Sequence, residues 1–209
     1  MYIPRLYQES DQNHILNFIR ENSFATLICS QGGIPIATHI PLKLKQSDEN
    51  LVLIGHVAKP NPIAEAFDET SEILAIFHGP HTYISSSWYD HINVPTWNYQ
   101  AVHVYGKARK LTSEESSEAL IELVHTYEKN VKDGLDWENL PPEVVGSLKG
   151  IIGFEIMVEK IEAKSKLSQN RKDSDYFNII SQLKKSGHPM DNEVAIEMEK
   201  RREKPNSSP

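Results

Sequence analysis

The sequence predicts a mainly β protein, a β-barrel or closed sheet with helices at its periphery. Three observations lead there. About seven strand-like runs can be read along the 209 residues. No regular alternation of strand and helix appears that would give a parallel sheet. Hydrophobic residues, 39% of the chain, come in short blocks separated by Gly, Pro and Asn, a pattern that buries a core and excludes a disordered chain. There is no internal repeat and no low-complexity tract.

Taken in order, residues 10–21 open with cap-type residues and set Ile15, Leu16, Phe18 and Ile19 on one helical stripe, predicting a short helix. FATLICS, the turn Gln31-Gly32-Gly33 and the alternating run IPIATHIPLKL form a hairpin signature. NLVLIGHVA is a third strand, ended by Pro60-Asn61-Pro62, which also opens a short helix with proline in its first turn. EILAIFHGP reads as a buried strand, and TYISSSWY as its continuation after a break at Gly79-Pro80. VPTWNYQAVHVYGKARKL is one long strand or two bent ones. Thr112 and Glu115 spell a capping box before a helix whose Ala119, Leu120, Leu123, Val124 and Tyr127 share a face. Pro141-Pro142 starts another short helical turn. IIGFEIMVEKIEAK, with Phe154, Ile156, Val158 and Ile161 facing one way, completes the sheet. YFNIISQLKKSG is a modest amphipathic helix, and the charged tail beyond it ends in residues expected to be mobile. The expected division is a core with inserted helices over 1–167 and a helical extension over 168–209.

Composition narrows the function classes. Lys and Arg total 22 against 29 Asp and Glu, a net charge of −7, which argues against a whole-surface nucleic-acid binder and leaves room for a local basic patch. The single cysteine, Cys29, lies in the apolar run ATLIC. It allows neither an intrachain disulfide nor a Cys-based zinc cage and reads as core. No run approaches the roughly 20 apolar residues that span a bilayer, and MYIPRLYQESDQNH lacks a secretory apolar segment. A cytoplasmic protein without membrane contact is expected. GxGxxG, Walker and GxSxG signatures are absent. The nine histidines come without HExxH or a clustered His-plus-carboxylate motif. No catalytic residue and no metal ligand is nominated.

Polar and aromatic groups concentrate in three segments: GHVAKPNP at 55–62, FHGPHTYISSSWY at 77–89 and VPTWNYQAVHVYG at 94–106. Rings beside hydrogen-bonding groups suit a flat heteroaromatic ligand in a pocket at strand ends. A fourth segment, KIEAKSKLSQNRK at 160–172, sets Lys160, Lys164, Lys166, Arg171 and Lys172 against Glu162 alone. It reads as a phosphate contact, a strip for DNA, or a solvated basic strand end. A second basic cluster, Lys200, Arg201, Arg202 and Lys204, is balanced by glutamates and reads as a surface helix end.

GHVAKPNP, FHGPHTYISSSWY, VPTWNYQAVHVYGKA and KLSQNR, in this order and over almost the whole length, resemble the PaiB family of FMN-binding negative transcriptional regulators. The resemblance implies an FMN-binding split β-barrel, a homodimer with ligand sites at the subunit interface, and repression of sporulation and degradative-enzyme genes, with promoter DNA reached directly or indirectly. Within it, Lys59 is the candidate phosphate cation, aided by N–H groups of the helix near Pro62 and by His56. Trp97 would stack on the isoalloxazine and Asn98 would meet its pyrimidine edge. Tyr83 and Tyr99 are further cofactor contacts, the serine run after Tyr83 offers hydroxyls, and Gln169 and Arg171 are polar contacts toward the phosphate. Each has a plainer alternative: Lys59 as a solvated lysine, His56 as a strand-end residue, Trp97 as core or dimer interface, Tyr83 and Ser85 as one face of an ordinary strand. A flavin-dependent oxidoreductase or a haem-handling enzyme on the same scaffold is the competing function.

Overall fold

The structure is a computed structural model that describes residues 1–46, 50–134 and 150–202. Its strands are β1 (Phe24–Gln31), β2 (Ile34–Pro41), β3 (Lys43–Gln46), β4 (Leu51–Ala58), β5 (Asp68–Ile84), β6 (Thr96–Lys110) and β7 (Ile151–Lys166). They form one sheet in the order β2-β1-β5-β6-β7-β4-β3. The helices are α1 (Gln12–Glu21), α2 (Ser113–Glu128), α3 (Asp173–Ser186) and α4 (Pro189–Arg201). The predicted turn at Pro141-Pro142 and the tail from residue 203 lie outside the described residues.

The hairpin forms as its sequence dictates. Gln31 pairs with Ile34, and the two glycines between them hold φ of 59° and 82°, the left-handed pair that a two-residue turn between twisted strands needs. Alternation along β1 sends Ala25, Leu27 and Cys29 inward. Pro35 and Pro41 are accommodated because β2 is an edge strand.

Two expectations about strands are corrected. IPIATHIPLKL is not one strand: the chain leaves the β1 ladder at Leu42, whose N–H donates to the Ser23 carbonyl and whose side chain is buried. The next residues pair with β4, at the other end of the strand order. Gly79-Pro80 does not break the chain either, since β5 runs unbroken through it. Glycine stands there because a Cβ would meet the Phe18 ring at 2.6 Å.

The chain separates into two compact units. One gathers residues 1–18, 78–102 and those from 162 onward; the other holds 19–77 and 103–161. In the second unit the buried Leu27, Leu53, Ile73, Phe77 and Ile156 supply the core, with Phe67 and Phe154 stacked at 4.2 Å. α2 begins on the predicted capping box, Thr112 accepting from the Glu115 N–H and Glu115 from the Thr112 N–H. In the first unit, Tyr176, Ile179 and Leu183 of α3 and Val194, Ala195 and Met198 of α4 pack with Ile84, Tyr89 and Leu167. Among the described residues, no helix is long and apolar enough to cross a membrane.

Candidate cofactor site

Within the first unit, β5 and β6 present a row of rings. Alternation places Tyr83 two residues after His81, and both face Trp97 of β6: Tyr83 meets it edge-on at 6.1 Å and His81 lies at 6.4 Å. Trp97 is 53% exposed and Tyr83 47%, so the pair offers an open aromatic surface. His78 adjoins His81 at 5.7 Å; burial, followed by the neighbouring His81, draws its pKa below the ordinary imidazole value.

Beside these strands lies a group of cations. Lys164, nearly buried, donates to the Tyr2 carbonyl at 3.2 Å and sits 5.1 Å from the centre of the Tyr99 ring. Lys166 donates to the Thr96 hydroxyl. Burial, then the charges of Lys164 and Arg171, lowers the pKa of its ammonium. Arg171 has its guanidinium carbon 4.5 Å from the centre of the Tyr89 ring, with its Nε buried and lacking a hydrogen-bond partner. Among the described residues no carboxylate pairs with any of these three cations. Such an uncompensated group is suited to a phosphate.

The expected residues divide into two sets. Tyr83 and Trp97 come together; Tyr99 joins Lys164; Arg171 joins the cations. Asn98 does not face a ligand: it is fully buried, accepting from the Ser168 hydroxyl at 3.0 Å and donating to the Met198 sulfur at 3.5 Å. Gln169 spends its amide on its own loop, accepting from Leu167 N–H at 2.7 Å and donating to the Ser165 carbonyl at 2.5 Å. The serine run is also occupied, Ser85 capping a 3-10 turn over Ser86–Trp88 and bonding Ser87. Lys164 and Lys166 belong to the basic segment for which a phosphate contact is one expectation, whereas Thr96 carries no expectation of its own. Their signal was the alternation of Lys164 and Lys166 with the strand period at the end of β7.

In the second unit, Lys59 is exposed and has no ion-pair partner among the described residues; its N–H donates to the Gly150 carbonyl. His56 is half-buried on β4 beside a small cavity also lined by Lys43, Ser116, Leu120 and Gly153. Burial lowers its pKa and favours the neutral ring. The helix near Pro62 is a five-residue 3-10 turn, Pro62–Ala66, in which Asn61 already accepts from the N–H groups of Ile63 and Ala64. The expectation of a helix N-terminus free for an anion is corrected accordingly.

The fold is mainly β with peripheral helices, of the flavin-binding split-barrel class. It is similar to the flavocytochrome Anf3 from Azotobacter vinelandii (TM-score 0.60, 17% identity, 78% of this chain and 72% of that one). It is also similar to the FAD and heme binding protein from Mycobacterium smegmatis (TM-score 0.58, 12% identity, 81% and 78%). In sequence, residues 1–160 match the family described as "Putative FMN-binding domain". The chain is 46% identical over 200 residues to the "Protease synthase and sporulation protein PAI 2" of Bacillus subtilis (strain 168), covering 95% of this chain and 97% of the relative. An uncharacterised protein of Emericella nidulans is 29% identical over 230 residues, covering 90% and 92%. The chain therefore belongs to the PaiB family of FMN-binding-domain proteins. FMN is the cofactor that goes with that family, and the residues present fit it: exposed rings for a flat heterocycle, uncompensated cations and the buried Arg171 Nε for a phosphate.

Proposed function

We propose that this chain is an FMN-binding negative transcriptional regulator of the PaiB type, a cytoplasmic homodimer acting on sporulation and degradative-enzyme genes, with promoter DNA reached directly or through a partner. The regulatory reading is carried by the near-full-length likeness to PAI 2. Trp97 and Tyr83 would pack against the isoalloxazine and Arg171 would meet the phosphate; Lys59, in the second unit, is a separate candidate phosphate cation. When bound, FMN supplies a planar, redox-active ring. Asn98 and Gln169 act indirectly, by holding the turn that carries Arg171. An acidic total charge confines any DNA contact to a local basic surface.

The test begins with the absorbance spectrum of purified protein and its titration with FMN. Saturable uptake is expected, weakened about tenfold by Lys59→Ala and by Arg171→Ala through loss of charge-assisted contacts. Unchanged affinity removes the substituted residue from the site. Promoter binding that falls steeply with salt supports the regulator. A bound flavin that NAD(P)H reduces with turnover, without DNA binding, replaces it with an oxidoreductase.

A further inference from the structure

Outside the cofactor residues, the first unit holds a second cluster that the sequence did not announce. Asp90 and His91 lie in the loop after β5, and Asp175 in the first turn of α3. Their chain separation hides the set from any motif search; the fold brings one ligand atom of each within 4.8 Å of the others. His91 Nδ1 is 2.9 Å from Asp90 Oδ1 and 3.4 Å from Asp175 Oδ2.

The burial of Asp175 distinguishes this cluster from a chance group of surface acids. The residue is 1% exposed. Its Oδ1 accepts from the Asp90 N–H at 2.9 Å, while its Oδ2, aimed at the imidazole, is buried without a hydrogen-bond partner. A carboxylate oxygen kept from both water and a donor is costly unless a cation completes its shell. We propose that Asp90, His91 and Asp175 form a binding site for a borderline divalent metal ion such as Zn2+.

The remaining contacts accommodate this. Lys172 holds the other oxygen of Asp90, Oδ2, at 2.5 Å, leaving Oδ1 for the ion. One imidazole and two carboxylates are a ligand set that zinc accepts, with metal distances of about 2.0–2.2 Å and the fourth position left to water. Asp90 and His91 themselves line a shallow depression together with Ser86, Ser87, Tyr89 and Ile92. Asn93 Nδ2 lies 3.1 Å from His91 Nε2, and its Oδ1 accepts from Val94 N–H. Coordination at Nδ1 would leave the ring proton on Nε2 and require the Asn93 amide to flip, giving up its bond from Val94 N–H to accept that proton. A bound ion would fasten the 85–93 loop to α3.

The experiment is isothermal titration calorimetry of the full chain, stripped with chelator and titrated with ZnCl2 alone, paired with thermal melting. Wild type is expected to take up one equivalent of Zn2+ and to melt at higher temperature with it. His91→Ala, a change at a half-exposed side chain, is expected to weaken uptake about 100-fold and abolish the shift. Asp175→Asn should do the same; circular dichroism establishes whether it folds, and if it does not, His91→Ala decides. His78 and His81 are the competing imidazole pair, so the double variant His78→Ala, His81→Ala is expected to retain uptake. No stoichiometric uptake by wild type, equal affinity in His91→Ala, or loss of uptake only in the double variant would overturn the proposal.

Discussion

Individual side chains here often serve the turn or strand that carries them before they serve a ligand. Asn98 is expected to meet a heterocycle edge and Gln169 a phosphate, yet both amides are consumed by hydrogen bonds to their own surroundings. Nothing in a sequence separates a buried amide from a displayed one. Arg201 and Arg202 lie at the surface helix end expected of them, and both also have specific partners. Arg201 bonds Glu9 and Ser165, and Arg202 stacks 4.1 Å from the Tyr176 ring centre while donating to the Gln169 and Arg171 carbonyls. The capping box of α2 was fully legible, because it is local. Its Glu115 also takes a two-pronged bond from Arg109, at 2.9 and 3.0 Å. The guanidinium first, then the Thr112 N–H, draws the Glu115 pKa down to about 2 from an ordinary 4.5. A carboxylate depressed on folding stabilises above its unfolded pKa and loses that contribution as pH falls through the folded one. Glu115→Gln should therefore lower the melting temperature at pH 7, with the deficit shrinking between pH 4.5 and about 2. Melting curves of both proteins across that interval check it, and a constant deficit would refute it.

At the scale of elements, the sequence yielded the hairpin, the long strands and α3 because period and turn chemistry agree there. It misread Gly79-Pro80, since glycine and proline signal turns locally, whereas here glycine answers a ring arriving from α1. The β2–β3 switch was invisible for a related reason: alternation continues across Leu42 while the pairing partner changes. α4 was only partly legible, its buried Val194, Ala195 and Met198 forming a narrow stripe in a strongly charged segment. Gly79→Ala should cost about 1–3 kcal/mol by overpacking, and Phe18→Leu in the same chain should recover part of it. A double-mutant cycle by denaturant unfolding measures this coupling. Strict additivity would show that the glycine is there for another reason.

For the whole molecule, family and fold were legible at once, because four linked segments span nearly the entire chain. The assembly is a proposal, and Trp97 is where to probe it. Its ring meets Tyr83 edge-on, and both rings are about half exposed, with Ile92 and Val94 exposed just ahead of β6. Trp97→Ala is expected to release FMN, to dissociate the homodimer, or both, and light scattering read alongside flavin absorbance separates the outcomes. An unaltered mass with unaltered flavin binding would remove this residue from cofactor and interface together.

The first unit is assembled from three stretches of sequence far apart, and the N-terminal ammonium of Met1 pairs with Glu162. While the chain is being made, its opening segment must wait for everything from Ile19 to Ile161 to be synthesised, roughly 7 to 30 s at cellular elongation rates. During that interval the residues beyond Ile161, the Glu162 partner of the Met1 ammonium among them, are missing, so the first unit closes only once synthesis has passed the second.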